Sequence, residues 1–316
     1  SIEFVVQGPA ESKAAPREPE QPGAPGLAFG PGVSLVGYSI EAELACSSHG
    51  IVYRGLRKED GRPVAVKVVR AAVELDQHLA DRVLAEVRRL YRLSHPGIVG
   101  LLDCGISGNR FYFVTEYCNG GSLADRMASQ AGPIPFPQVV PWMLDCLAAL
   151  EYAHQLELVH RDIRPPNILL DNQDGTWKAK IADFGLARTL EMAGVTGLSA
   201  TAAHFVDYHF MPREQFTGFR DSCATSDLWS LAATFYYILT AKYPRDVAGR
   251  DPIQAVLSGD AVPLRQRNLS IPQAVAAVID RALQSDPHSR YPSAREMRCA
   301  LEAALGNNAF FRQQPQ

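Results

Sequence analysis

Residues 160–167 read His-Arg-Asp-Ile-Arg-Pro-Pro-Asn, and Asp183-Phe184-Gly185 begins sixteen positions after Asn167. These residue types suit the movement of a phosphoryl group. A hydroxyl nucleophile needs a carboxylate to orient it and take its proton, and Asp162 is the candidate. A polyphosphate is handled with a hard divalent cation, which prefers oxygen ligands of the kind that Asn167 and Asp183 carry. A lone Asp or Asn favours turns, so the weight falls on the ordered combination. Upstream, Val64-Ala65-Val66-Lys67 sets a cation at the end of an alternating run, facing the same way as Ala65.

The elements that must position these groups follow from the hydrophobic pattern. Strands are expected over 39–45, 50–56 and 62–69. Residues 75–93 switch to a helical period through Leu79, Val83, Val87 and Leu90, with Glu86 at the edge of that stripe. Two more strands follow at 99–104 and 111–116, then helices over 122–131, 137–156, 226–241, 271–283 and 293–305. A small strand-rich lobe followed by a larger helical one is an α+β plan, with a cleft at the junction and a hinge near 116–121. The expected boundaries are a Pro/Gly-rich linker over 1–33, a first lobe over 34–117, a second over 118–305, and a loose tail over 306–316. The prolines at 9, 16, 19, 22, 25 and 31 are the reason for reading the first segment as a linker.

Bulk properties narrow the function. The chain has 316 residues, 47% hydrophobic, enough for a large core. A formal charge of −3 offers no field for nucleic acid, and no nucleic-acid partner is expected. The six cysteines form no CxxC pair and read as free thiols of a reducing cytoplasm. The longest apolar stretch, 229–241, is too short to span a bilayer and reads as a buried helix. The chain begins at Ser1 and reads as a fragment, so a membrane anchor elsewhere in a longer parent stays open.

Taken in order, these motifs resemble the eukaryotic-like (Hanks-type) protein kinase family over residues 36–305, and look most like its bacterial serine/threonine branch. The resemblance implies a bilobal protein-kinase fold, with ATP and Mg²⁺, or Mn²⁺ in its place, and a protein substrate that the sequence does not identify. It implies transfer of the terminal phosphoryl group to a Ser/Thr hydroxyl. Lys67 would neutralise the α- and β-phosphates, held by Glu86, since the other acid, Glu74, precedes the helical stripe. Asp162 would orient the hydroxyl, while Asn167 and Asp183 would hold metal. Adenine would lie between Val52 and Ala65 above and Leu169 below, with Thr115 at the back and the backbone of Glu116 and Cys118 as hinge. The phosphate-covering loop aligns with 45–52, where Ala45 and Ser47 replace the first two glycines and Gly50 keeps the third. Cys46 and Cys118 would lie near the nucleotide as idle thiols. Leu90, His160 and Phe184 match a stacked apolar column. Glu214 would pair with Arg290, and Asp227 would bond the backbone of the catalytic loop. Arg161 would grip a phosphorylated activation segment, whose candidate autophosphorylation sites are Thr189, Thr196, Ser199 and Thr201. Dimerisation on activation is a further expectation of the resemblance.

Two positions depart from the family pattern. Arg164 stands where a Lys is usual, and Val206-Asp207 where Gly-Thr is usual. A carboxylate near Asp162 would be repulsive alone, whereas the arginine fork can grip it. An Arg164–Asp207 ion pair replacing a Lys–Thr bridge is therefore expected. The alternative is Asp207 facing solvent while Arg164 meets phosphate alone. Arg at this position also occurs in some tyrosine kinases. The rival reading of the whole chain is a pseudokinase scaffold that binds nucleotide or a partner without turnover. The worn glycine loop and the two departures favour it, and the intact Lys67, Asp162, Asn167 and Asp183 oppose it.

Overall fold

The computed structural model describes residues 34–47, 50–69, 77–107, 110–184, 207–217, 223–246 and 251–306. The first lobe is a six-stranded antiparallel sheet in the order β1-β2-β3-β4-β6-β5. Its strands are β1 (Ser34–Leu35), β2 (Tyr38–Ser47), β3 (Gly50–Arg57), β4 (Pro63–Val69), β5 (Leu101–Ser107) and β6 (Arg110–Glu116). Alternation on β4 decides its two faces. Val64, Val66 and Val68 are buried with Tyr38, Ile40, Tyr53 and Val114 on one side, which leaves Ala65 and Lys67 pointing to the other.

Helix α1 (Gln77–Arg88) buries Val83 and Val87 in a core shared with Val69, Phe111 and Phe113. The helical pattern over 75–93 predicts one helix through Leu93. Instead the chain tightens into a 3₁₀ turn over Arg89–Arg92, closed by the Leu93 N–H on the Leu90 carbonyl. Pro96 follows shortly after and cannot continue a helix.

The second lobe is helical: α2 (Leu123–Ala128), α3 (Phe136–Gln155), α4 (Arg213–Thr217), α5 (Ala224–Thr240), α6 (Pro252–Ser258), α7 (Leu264–Arg267), α8 (Gln273–Ala282) and α9 (Ala294–Gly306). Helix α5 is buried along nearly its whole length, as its predominantly apolar composition requires. Helix α2 is shorter than the expected 122–131. Its start is fixed by a capping box in which the Ser122 hydroxyl accepts from the Asp125 N–H and the Asp125 carboxylate accepts from the Ser122 N–H. Among the described residues no helix is long and apolar enough to cross a membrane. All six cysteines are free thiols.

The short elements β1, α4, α6 and α7 escaped the sequence pattern, and so did a two-stranded sheet. A hairpin of β7 (Ile168–Gln173) and β8 (Thr176–Ile181) lies under the cleft. Its turn, Asp174-Gly175, has positive φ at both residues, 52° and 86°, which is the backbone that Asp-Gly favours in a two-residue hairpin. This hairpin joins the lobes. Val99 donates to the Ile181 carbonyl and Ile181 donates to the Gly97 carbonyl, while Gly120 and Gly121 exchange hydrogen bonds with Leu170.

Candidate active site

The β2–β3 hairpin forms the roof. The β2–β3 ladder runs as far as the Ser47–Gly50 pair. A Cβ on Gly50 would lie 2.1 Å from the Val68 carbonyl oxygen on β4, inside any tolerable contact. The retained glycine is therefore required by the packing of β3 on β4. Ala45, by contrast, is an exposed strand position opposite Val52 and accepts a side chain without collision.

Lys67 extends from β4 to Asp183, its Nζ 2.5 Å from the carboxylate Oδ2. Burial pushes the Asp183 carboxyl up, but Lys67, helped by His160 and Arg164, outweighs it and holds the group below its ordinary value. Glu86 falls within α1, and its side chain lies outside those described.

The loop carrying Asp162 is held by buried groups. Arg161 and Asp183 adopt φ of 70° and 63°, left-handed conformations that cost a non-glycine residue on the order of 1–3 kcal/mol each. Asp227, 1% exposed on α5, accepts the N–H groups of His160 and Arg161, both at 2.8 Å. His154 Nε2 lies 2.8 Å from the same carboxylate. His160 Nε2 donates to the Ala182 carbonyl at 2.7 Å, and its Nδ1 accepts the Asp162 N–H at 3.2 Å. These two bonds require the proton on Nε2. The His160 ring meets Phe184 edge-on at 4.7 Å, and Leu90 is buried in the same core.

Asn167 turns its amide onto Asp162, donating to the backbone carbonyl at 2.7 Å and to Oδ2 at 2.8 Å. Its own carbonyl accepts the Ala182 N–H at 2.9 Å, which ties the Asp162 loop to the residue before Asp183. Among the described residues none donates to the carboxamide oxygen of Asn167, and with Asp183 it offers oxygen atoms of the kind Mg²⁺ prefers.

The expected Arg164–Asp207 ion pair is corrected by the coordinates. Arg164 Nε lies 3.3 Å from Asp162 Oδ1, and no ion pair within 4 Å joins Arg164 to Asp207. The Asp162 carboxylate is the nearer anion and draws the guanidinium to itself. Asp207 is half-buried and does not simply face solvent. Burial raises its carboxyl, Arg164 and then His209 oppose, and Asp162 adds to the rise. Arg164 thus lies in the field of Asp162, Asp183 and Asp207 together.

The expected nucleotide floor and hinge fall on β6 to β8. Cys118 packs with Val99, Ala182 and Leu169, and burial pushes its thiol up to about 12, which leaves it protonated and inert. Cys46 is exposed on β2. Val52, Ala65 and Leu169 are all partly exposed. Thr115 borders a small cavity with Leu90, Leu101, Asp183 and Phe184, and its hydroxyl donates to the Glu116 carbonyl at 3.2 Å. The Glu116 carboxylate is taken by Lys180 at 2.7 Å.

Below the loop, Arg290 is 1% exposed and grips Glu214 with two bonds, 2.6 and 3.0 Å. It also donates to the carbonyls of Gln284, Thr225 and Ser285. Gly185 and the candidate phosphosites Thr189, Thr196, Ser199 and Thr201 lie outside the described residues. Lys180, His154 and Gln215 escaped sequence reasoning. Lys180 shows only as a charged residue three places before Asp183. His154 and Gln215 give no signal, because their partners are backbone or distant in the chain.

A cleft between a twisted sheet and a helical lobe, with Lys67–Asp183 across it and Asp162–Asn167 beneath, defines a phosphotransfer fold. The chain belongs to the protein kinase domain family, whose model matches residues 38–300. It is 35% identical over 248 residues to the serine/threonine-protein kinase PknB of Mycobacterium leprae, covering 76% of this chain and 38% of that protein. It is 30% identical to the serine/threonine-protein kinase PrkC of Bacillus subtilis, covering 77% and 37%. The chain thus spans less than half the length of these curated relatives. Among solved structures, the kinase domain of Mycobacterium tuberculosis PknI superimposes with a TM-score of 0.68 at 25% identity, covering 88% of this chain and 100% of that one.

Proposed function

We propose that this chain is the catalytic domain of a serine/threonine protein kinase, passing the terminal phosphoryl group of Mg-ATP to a protein hydroxyl. The observation that carries the reading is the convergence of Lys67–Asp183 and Asp162–Asn167 at the junction of the two lobes. Asn167 and Asp183 would hold Mg²⁺, which when bound offsets phosphate charge. Lys67, freed from Asp183, turns to the phosphates. Asp162 orients the acceptor hydroxyl and takes its proton, with Asn167 and Arg164 fixing the carboxylate. The exposed Ala45 and the Ser47 position leave the backbone amides of the roof in place, so the worn glycine loop changes the affinity for nucleotide rather than the reaction. The serine/threonine direction is supported by the names of the relatives. Autophosphorylation within 186–205, read by Arg161, belongs to the same reading.

The test is transfer from γ-labelled ATP with Mg²⁺ to peptides carrying Ser, Thr or Tyr as the sole hydroxyl acceptor. Label on the Ser and Thr peptides is expected. Nucleotide binding without label on any peptide, or label on Tyr alone, would overturn the assignment.

A further inference from the structure

The peptide unit entering Asp162 needs external support, because Arg161 is left-handed at φ 70° and would relax if released. Every backbone polar group around Asp162 has a side-chain partner. The Arg161 N–H goes to Asp227 at 2.8 Å, the Asp162 N–H to His160 at 3.2 Å, and the Asp162 carbonyl to Asn167 at 2.7 Å. His160 and Asn167 belong to the loop itself, and Asp227 to the buried helix α5. The remaining group, the Arg161 carbonyl, accepts the side-chain amide of Gln215 at 2.6 Å. Gln215 is 6% exposed and lies on α4, a one-turn helix at the end of the activation segment. Its neighbour Glu214 anchors that helix to Arg290.

We propose that Gln215 is a positioning residue through which the seating of α4 is transmitted to the orientation of Asp162. The inference rests on the reading of Asp162 as the residue that orients the acceptor. The peptide plane between Arg161 and Asp162 is held by His160 at its N–H and by Gln215 at its carbonyl, and it carries the Asp162 Cα at the N–H end. When α4 is seated, the Gln215 amide locks that plane. When α4 shifts, the carbonyl loses its donor, the strained Arg161 relaxes, and the Asp162 carboxylate leaves the line of attack. The expected nucleotide contacts sit on β2, β3, β4, β6 and β7 and do not involve Gln215. Its effect is therefore on the rate of transfer and not on the binding of ATP.

The test compares wild type with Gln215→Leu and Gln215→Glu in the intact chain. Gln215→Leu should lower kcat roughly tenfold to a hundredfold, the cost of a small misplacement of a reacting group, with KM for ATP within about twofold. A carboxyl can donate to the carbonyl only when protonated, so the activity of Gln215→Glu relative to wild type should rise as pH falls towards about 6. Hydrogen exchange of the segment 158–164 should be faster in Gln215→Leu, with 64–68 unchanged. Exchange at 158–164 identical to wild type would overturn the inference, even for a variant without measurable turnover. So would an unaltered kcat, or kcat and ATP affinity falling together. If Gln215→Leu does not fold, a pH-independent ratio for Gln215→Glu overturns it instead. Absence of transfer by the wild type would count against the proposed reaction, and the exchange comparison would still decide the role of Gln215.

Discussion

At the scale of single residues, Arg164 and Asp207 carry the chemistry peculiar to this chain. The Arg164 guanidinium lies 3.3 Å from Asp162 and restrains the carboxylate that the proposed reaction uses. Asp207 competes for the same cation from a half-buried position, where burial makes its own charge costly. The two departures are expected to compensate one another: Arg164 without Asp207 would bind Asp162 more tightly, and Asp207 without a cation would repel the Asp162 carboxylate. Arg164→Lys and Asp207→Thr should each lower kcat about tenfold, and the double variant should recover most of it, a coupling of about 1–2 kcal/mol in a double-mutant cycle. Strictly additive losses would show that the residues act independently. Gly50 makes a different claim. With Val68 O 2.1 Å from any Cβ, Gly50→Ala should destabilise the first lobe by about 1–3 kcal/mol in urea unfolding, whereas Ala45→Gly should leave stability within about 1 kcal/mol. Equal effects at the two positions would contradict the packing role of Gly50.

At the scale of elements, α4 links the activation segment to the loop that bears Asp162. Its anchor is the Glu214–Arg290 pair. Burial raises the Glu214 carboxyl, but the two bonds from Arg290, with the Ser226 hydroxyl, outweigh it and hold the group below its ordinary 4.5. A carboxyl depressed on folding contributes stability that is fully present above its unfolded value and lost as pH falls through the folded one. Wild type should therefore lose stability between about pH 5 and pH 3, measured by urea midpoints. Glu214→Gln should start about 3–5 kcal/mol lower at pH 7, with a buried arginine left unpaired, and show a shallower acid limb. An acid limb as steep as in wild type would contradict this account.

The same elements show what was legible beforehand. The strands of the first lobe and helix α5 followed from Val-Ala-Val alternation and a predominantly apolar composition. The residues on which motifs converge, Asp162, Asn167, Lys67 and Asp183, were also legible, because the chemistry dictates type, order and spacing together. The β7–β8 hairpin was not: Ile168-Leu169-Leu170 is an unbroken apolar run with no period to read. The Arg164–Asp207 pairing failed for a related reason. Charge complementarity names partners but not distances, and the nearer Asp162 captured the arginine. Gln215 was invisible because its partner is a carbonyl, which every residue possesses.

At the scale of the molecule, the two lobes meet along the hinge and the β7–β8 hairpin, with the reacting groups divided between them. Lys67 comes from the sheet; Asp162, Asn167 and Asp183 come from the second lobe. The Lys67–Asp183 bond therefore spans the two lobes, and on the proposed reading the nucleotide phosphates enter between its partners. The account assigns binding mainly to Lys67 and Asp183, and transfer to Asp162. The most direct test is single-turnover phosphoryl transfer, alongside Mg-ATP affinity, for wild type and Asp162→Asn. The variant should bind Mg-ATP within about threefold of wild type yet transfer the phosphoryl group at least about a hundredfold more slowly. Transfer by Asp162→Asn at the wild-type rate would contradict the assignment of the site.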